Sequence, residues 1–147
     1  MKFDKKKIMY VILVVCLVSC IIVVRFLESK NKQEAPINFD NLVIDVNMAT
    51  NTAFITLDNY ALSLDLLIDF DENTEFVYAA NEDKTDYFIV ARNLNKEEIN
   101  EIETFVDMQK KLNEIVKMEK NNDYIYLISS SEYSSTIDGI IRSYINE

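Results

Sequence analysis

From Ile8 to Val24 the chain runs without a charge, a glycine or a proline, and Lys5-Lys6-Lys7 stand directly before that run. A helix that is apolar all round belongs inside a core or a bilayer, not on the surface of a small domain. Placed behind a lysine cluster, the run has the pattern of a membrane-targeting segment. The charge distribution agrees. Residues 1–27 hold five basic groups (Lys2, Lys5, Lys6, Lys7, Arg25) against one acid, Asp4, whereas residues 28–147 hold 24 acids against 10 bases. The formal charge of −10 therefore averages a basic leader and a strongly acidic body. An acidic body repels phosphates, so nucleic acid is not an expected partner.

Two readings of the leader compete. In the first, Ile8 to about Leu27 is an uncleaved transmembrane helix. The uninterrupted run gives roughly 25 Å of helix, a little short of a hydrocarbon core of about 30 Å. Arg25 can snorkel to the interface, and Phe26 and Leu27 extend the apolar length. Four lysines precede the run while Arg25, Lys30 and Lys32 follow it, so the N-terminus is expected on the cytoplasmic side. In the second reading, residues 1–19 are a lipoprotein signal peptide. Leu17-Val18-Ser19-Cys20 resembles a bacterial lipobox, with Cys20 as the lipidation candidate. The stretch Cys20-Ile21-Ile22-Val23-Val24 is then an unusually apolar start for a mature lipoprotein, which normally begins with a polar tether. Either way the expected location is the bacterial cell membrane, with the lipid bilayer as a partner and the acidic part extracytoplasmic. Residues 28–36 are polar, end in the only proline, and read as a tether.

Residues 37–147 are enough for one small domain with a modest core. Phe39, Leu42, Val43 and Val46 follow helical spacing, although Leu42, Ile44, Val46 and Met48 alternate as in a strand; the first pattern is preferred. Residues 52–70 stay open. Tyr60, Leu62, Leu64, Leu66, Ile68 and Phe70 alternate, while Tyr60, Leu64, Leu67 and Ile68 form a helical stripe. Further on the signals are sharper. Strands are expected at 75–80 and 86–92, joined as a hairpin by the polar turn 81–85. Asn95 and Glu98 form a capping-box pair, and Leu94 and Ile99 occupy the hydrophobic-staple positions of a helix expected to run to about Met118. Its inward stripe is read as including Leu112, Ile115 and Val116. Residues 119–122 are expected as a turn and 123–129 as a third strand. Ser130 or Ser131 is expected to cap a closing helix with Tyr133, Ile137, Ile140, Ile141 and Tyr144 on one face. Gly139 lies inside that helix; no sequence pattern accounts for it, and close packing against a neighbour is the explanation left open. The fold class expected is α+β: a small, mainly antiparallel sheet with two to three helices over one face, preceded by the N-terminal transmembrane or signal helix.

The sequence offers little reaction chemistry. Histidine is absent, and the two cysteines, Cys16 and Cys20, lie inside the apolar run, so the body has neither a thiol nucleophile nor a disulfide. One glycine cannot build a phosphate-binding loop. Ser129-Ser130-Ser131 and Ser134-Ser135 lack an evident base partner and read as capping and turn residues. Asp69, Asp71, Glu72 and Glu75 form an acidic turn whose spacing departs from an EF-hand loop, so solvated carboxylates are expected there in preference to calcium. Glu97, Glu98, Glu101 and Glu103 have a structural account at a helix N-terminus. Tyr124 and Tyr126, on one strand face, are expected in the core in preference to display. No catalytic, cofactor-binding or metal residue is therefore assigned, and the protein is not expected to be an enzyme.

The segment from Asp86-Tyr87-Phe88-Ile89-Val90-Ala91-Arg92 through the charged helix to Asn122-Asp123-Tyr124-Ile125-Tyr126-Leu127-Ile128-Ser129-Ser130 and the final helix resembles an uncharacterised Firmicutes family. Its members carry a membrane anchor or lipoprotein leader and an extracytoplasmic domain of unknown function (family 4358). The likeness spans roughly Glu75 to Ile145 and implies no activity or site residues. Asp86-Tyr87 stands where typical members enter the strand with Glu. Were residues 58–70 helical, the order helix-strand-strand-helix-strand would also be similar to the ring-building domains of membrane-anchored secretion and sporulation-channel proteins, a likeness of fold only. The function expected is protein–protein interaction or envelope assembly at the membrane, with an unknown protein or a second copy as partner. A ring-forming structural component and a solute- or cation-binding lipoprotein are the alternatives.

Overall fold

The computed structural model describes Ser19 and residues 37–145, except Asn113, Ile115 and Asn122. The apolar run, Cys20 and the tether 28–36 otherwise lie outside the described residues. Among the described residues no helix is long and apolar enough to cross a membrane.

The elements are α1 (Phe39–Thr50), β1 (Ile55–Leu57), α2 (Asn59–Leu66), β2 (Glu75–Ala80), β3 (Tyr87–Arg92), α3 (Lys96–Lys111), β4 (Val116–Asn121), β5 (Tyr124–Ser129) and α4 (Ser134–Ile145). Among the described residues the class is α+β, with five antiparallel strands in the order β1-β2-β3-β5-β4 and four helices. The register places Val77 opposite Val90, Ile89 opposite Leu127 and Met118 opposite Leu127.

The helices cover both faces of the sheet, not one as the sequence reading expected. Alternate strand residues, among them Val77, Phe88, Tyr126 and Ile128, pack with Leu42, Val43 and Val46 of α1 and Ile137, Ile141 and Ile145 of α4. The intervening residues, among them Tyr78, Ile89 and Leu127, pack with Leu62 and Leu66 of α2 and Ile102, Phe105 and Val106 of α3. A strand covered on both faces needs apolar residues at every position, and β3 and β5 are buried from their first residue to their fifth.

The spacing of Leu42, Val43 and Val46 does make a helix, and Asn38 caps it by accepting the Asn41 N–H at 3.1 Å. The Asn47 side chain then holds the backbone of Phe54, accepting its N–H at 2.8 Å and donating to its carbonyl at 3.1 Å. That clasp sets Phe54 against Phe88, their ring centroids 5.7 Å apart.

The capping box of α3 forms as its sequence implies. The helix, however, ends at Lys111 and not near Met118. Val116–Asn121 pairs along the whole of β5 as an edge strand, so the expected turn at 119–121 is strand as well. Leu112, assigned from sequence to the inward stripe, is left exposed. Backbone pairing with an apolar neighbour outweighs the weak helical preference of this segment.

Gly139 sits mid-way along α4, is exposed, and a Cβ built on it meets nothing within 4 Å. Packing therefore does not require glycine. Gly139→Ala is expected to stabilise the fold by about 1 kcal/mol, read as a rise of a few degrees in thermal midpoint. An unchanged or lower midpoint would contradict this.

Candidate interaction surface

Helix α2 begins at Asp58, whose carboxylate accepts the Ala61 N–H at 2.8 Å. Its rotation about its own axis is set by Asn59. That side chain accepts the Phe70 N–H at 3.2 Å and donates to the Phe70 carbonyl at 2.8 Å. With Phe70 held in the core, Leu62, Leu66 and Ile68 turn inward. The opposite stripe, Tyr60, Leu64 and Leu67 at i, i+4 and i+7, is left 73%, 62% and 76% exposed. The helical stripe expected from sequence (Tyr60, Leu64, Leu67, Ile68) is thus the outward one except for Ile68.

Leu67 has a second peculiarity. It terminates α2 in the left-handed region, at φ 57°, with its N–H donated to the Ser63 carbonyl at 3.1 Å. Glycine or asparagine is the usual occupant of such a position, and a leucine there costs about 1 kcal/mol.

Leu67 forms one wall of an open groove of about 230 Å³ whose other wall is α3. Glu101, Thr104, Phe105 and Met108 line it from that side. Met108 is 41% exposed. Helical spacing puts Glu97, Glu101, Thr104 and Met108 on one stripe of α3, with Leu112 a turn further and Lys111 beside it. Glu101 accepts the Asp69 N–H at 3.4 Å, which brings the Asp69 carboxylate to the same rim. On the flank of α2, Asp65 binds the Tyr78 hydroxyl at 3.2 Å and Lys84 at 2.5 Å. Burial, then the charge of Asp65, pushes the Tyr78 phenol above its usual range.

The acidic turn before β2 is stitched down, not merely solvated. Glu98, buried at the start of α3, accepts the Asp71 N–H at 2.9 Å, the Thr74 hydroxyl at 2.7 Å and the Asn95 N–H at 2.6 Å. Asp71 accepts the Asn73 N–H at 2.7 Å and the Asn95 side chain at 3.1 Å, and these bonds, the first most of all, hold its carboxyl below the usual range. Asp69 takes the Asn59 side chain and Glu75 takes Arg92. Of the calcium candidates, Asp69, Asp71 and Glu75 thus face separate partners, and Glu72 is exposed. Among the described residues no three acidic, histidine or cysteine side chains are grouped to hold a metal.

Tyr124 and Tyr126 are buried, facing α1 and α4. Ser130 is buried and accepts the Tyr133 N–H at 2.9 Å, a turn-forming role. A second, larger depression of about 400 Å³ opens at one end of the sheet, between Leu94 and Ile99 on one side and Lys120, Asn121 and Asp123 on the other. Lys120 there is paired with Glu103. In the smaller depression the Thr104 hydroxyl is donated to the Asn100 carbonyl at 2.7 Å.

No protein family, curated protein or solved structure matches this chain.

Proposed function

We propose that this chain is a membrane-tethered, extracytoplasmic protein-interaction domain with no catalytic role. The leader supplies the tether, through either a span ending near Leu27 or a lipidated Cys20, and the likeness to the Firmicutes family belongs to the same proposal. The observation that carries the interaction role is the outward stripe of α2. Tyr60 and Leu64 on the helix and Leu67 at its C-cap face solvent together beside the groove, a larger set than the exposed pair Ile44 and Met48 on α1. Single exposed apolar residues are ordinary, but a contiguous set beside a groove marks a binding surface.

Mass analysis of the detergent-extracted full chain tests this. Under native conditions the protein is expected in a complex heavier than the chain and its micelle, and a bare monomer would overturn the interaction role. Under denaturing conditions an intact N-terminus identifies the span. A start at Cys20 with added acyl mass identifies the lipoprotein. Recovery of the chain in the soluble fraction with neither would overturn the tether.

A further inference from the structure

We propose that the α2–α3 surface receives a basic, amphipathic segment of another protein. The segment seats apolar side chains on Tyr60, Leu64, Leu67 and Met108, and its lysines or arginines meet Asp69, Glu97 and Glu101. This rests on the interaction reading above and names the surface and the chemistry of its partner.

Charge complementarity selects the occupant. Glu101 lines the groove, Asp69 is joined to it through its N–H, and Glu97 lies a turn earlier on the same stripe of α3, with Lys111 only at the far end. A helix or extended segment with apolar side chains at helical spacing and basic flanks matches that rim. A second copy does not, because pairing two such surfaces face to face opposes acidic rims on a body with 24 acids against 10 bases. An anionic lipid surface is repelled for the same reason.

Leu67 supplies an independent observation. Its left-handed backbone and its exposure both favour asparagine over leucine for the isolated fold. Strain of this kind persists where a surface is kept for another purpose. Leu67→Asn is therefore expected to separate the two demands: the thermal midpoint holds or rises while partner capture falls.

The experiment is photocrosslinking of the full chain in the cells that make it, with a photoreactive residue placed in turn at Leu64, at Met48 on α1 and at Thr136 on α4. Position 64 is expected to capture a segment of a different protein that carries apolar residues at helical spacing and a net positive charge. Its yield is expected to be at least tenfold that at position 136. Leu67→Asn and, separately, Glu101→Lys are each expected to reduce that yield at least tenfold, with the Leu67→Asn midpoint at or above the parent's and the Glu101→Lys midpoint no more than a few degrees below it. Capture at position 64 of a second copy of this chain, of lipid, or of an acidic or neutral segment overturns the proposal, as does a yield unchanged by both substitutions. Strong capture at position 48 with none at 64 overturns this surface but leaves the interaction reading standing. No protein captured from any position ends both.

Discussion

Glu98→Ala is expected to remove about 3–5 kcal/mol of folding stability, a large share of the total of a domain this size. The carboxylate is 4% exposed and serves three donors from three places: the Asp71 N–H, the Thr74 hydroxyl and the Asn95 N–H. Alanine leaves all three without their acceptor: the buried Thr74 hydroxyl loses about 1–3 kcal/mol, and the two part-buried amides each lose a bond to a charged acceptor. Glutamine keeps one acceptor oxygen but turns an amide NH2 toward the remaining donors, so Glu98→Gln is expected to lose roughly half as much. Denaturant unfolding measures both. Hydrogen exchange adds a local signature, because the Asp71 and Asn95 amides are expected to lose protection in the alanine variant before the rest of the sheet does. A loss below about 1 kcal/mol, the range of an ordinary surface position, would sink the idea that this carboxylate fastens the acidic turn to α3.

That fastening was half legible. The capping box was readable because Asn95 and Glu98 stand at the required spacing before an apolar-periodic helix. Local sequence carries such a motif entirely. The other two donors were not readable, since Asp71 and Thr74 reach Glu98 only after the chain folds back 27 and 24 residues away. For the same reason the acidic turn looked solvated: its partners Asn59, Asn95 and Glu98 are distant in sequence.

The sheet offers a similar contrast. Phe76 to Ala80, Tyr87 to Ala91 and Tyr124 to Ile128 are unbroken apolar runs, which is the pattern of strands covered on both faces. The composition of the three strands thus held the second helical layer, although the helix over 59–66 was masked by a strict alternation from Tyr60 to Phe70. That alternation arises because α2 buries Leu62 and Leu66, and the extended residues after it bury Ile68 and Phe70. Two geometries in succession mimic one strand. The outward stripe of Tyr60, Leu64 and Leu67 was visible as a periodicity, but which side of the helix faces the core depends on the Asn59–Phe70 clasp, a tertiary fact. In β4 only Val116 and Met118 alternate with Lys117 and Glu119 before Lys120 ends the pattern, so the period-two signal was too short to compete with the helical one.

Asp138→Asn is expected to cost about 2 kcal/mol at neutral pH, and the cost is expected to vanish in acid. Asp138 is mostly buried at the end of the α1–α4 layer. It accepts the Tyr126 hydroxyl at 2.6 Å, Lys117 at 2.7 Å and the Arg142 guanidinium at 3.0 Å. Glu119 adds a second anion, 3.2 Å from Arg142. Burial pushes the Asp138 carboxyl up, but the bonds from Lys117, Tyr126 and Arg142 outweigh it and hold the group below the usual carboxylate range. A carboxyl depressed on folding contributes stability that is fully present above its unfolded pKa of about 3.9 and is lost as pH falls through its folded value. The parent and Asp138→Asn stabilities should therefore differ at pH 7 and converge as pH falls below the ordinary carboxylate range and through the folded value. The alkaline side runs the other way. Burial, then the hydrogen bond and charge of Asp138, raises the Tyr126 phenol above its ordinary range. A phenol raised on folding contributes stability present below about pH 10 and lost as pH climbs toward the folded value. Asparagine removes the carboxylate charge but not the burial, so the variant should lose less stability than the parent between pH 10 and 11, and its Tyr126 should ionise earlier in a spectrophotometric titration. Denaturant curves at acid, neutral and alkaline pH check both limbs. A parent–variant difference that stays constant from pH 7 down to the acid unfolding limit would show that Asp138 acts by shape alone. The pairing of one carboxylate with a phenol and two cations would then have no electrostatic part in holding α4 to the sheet.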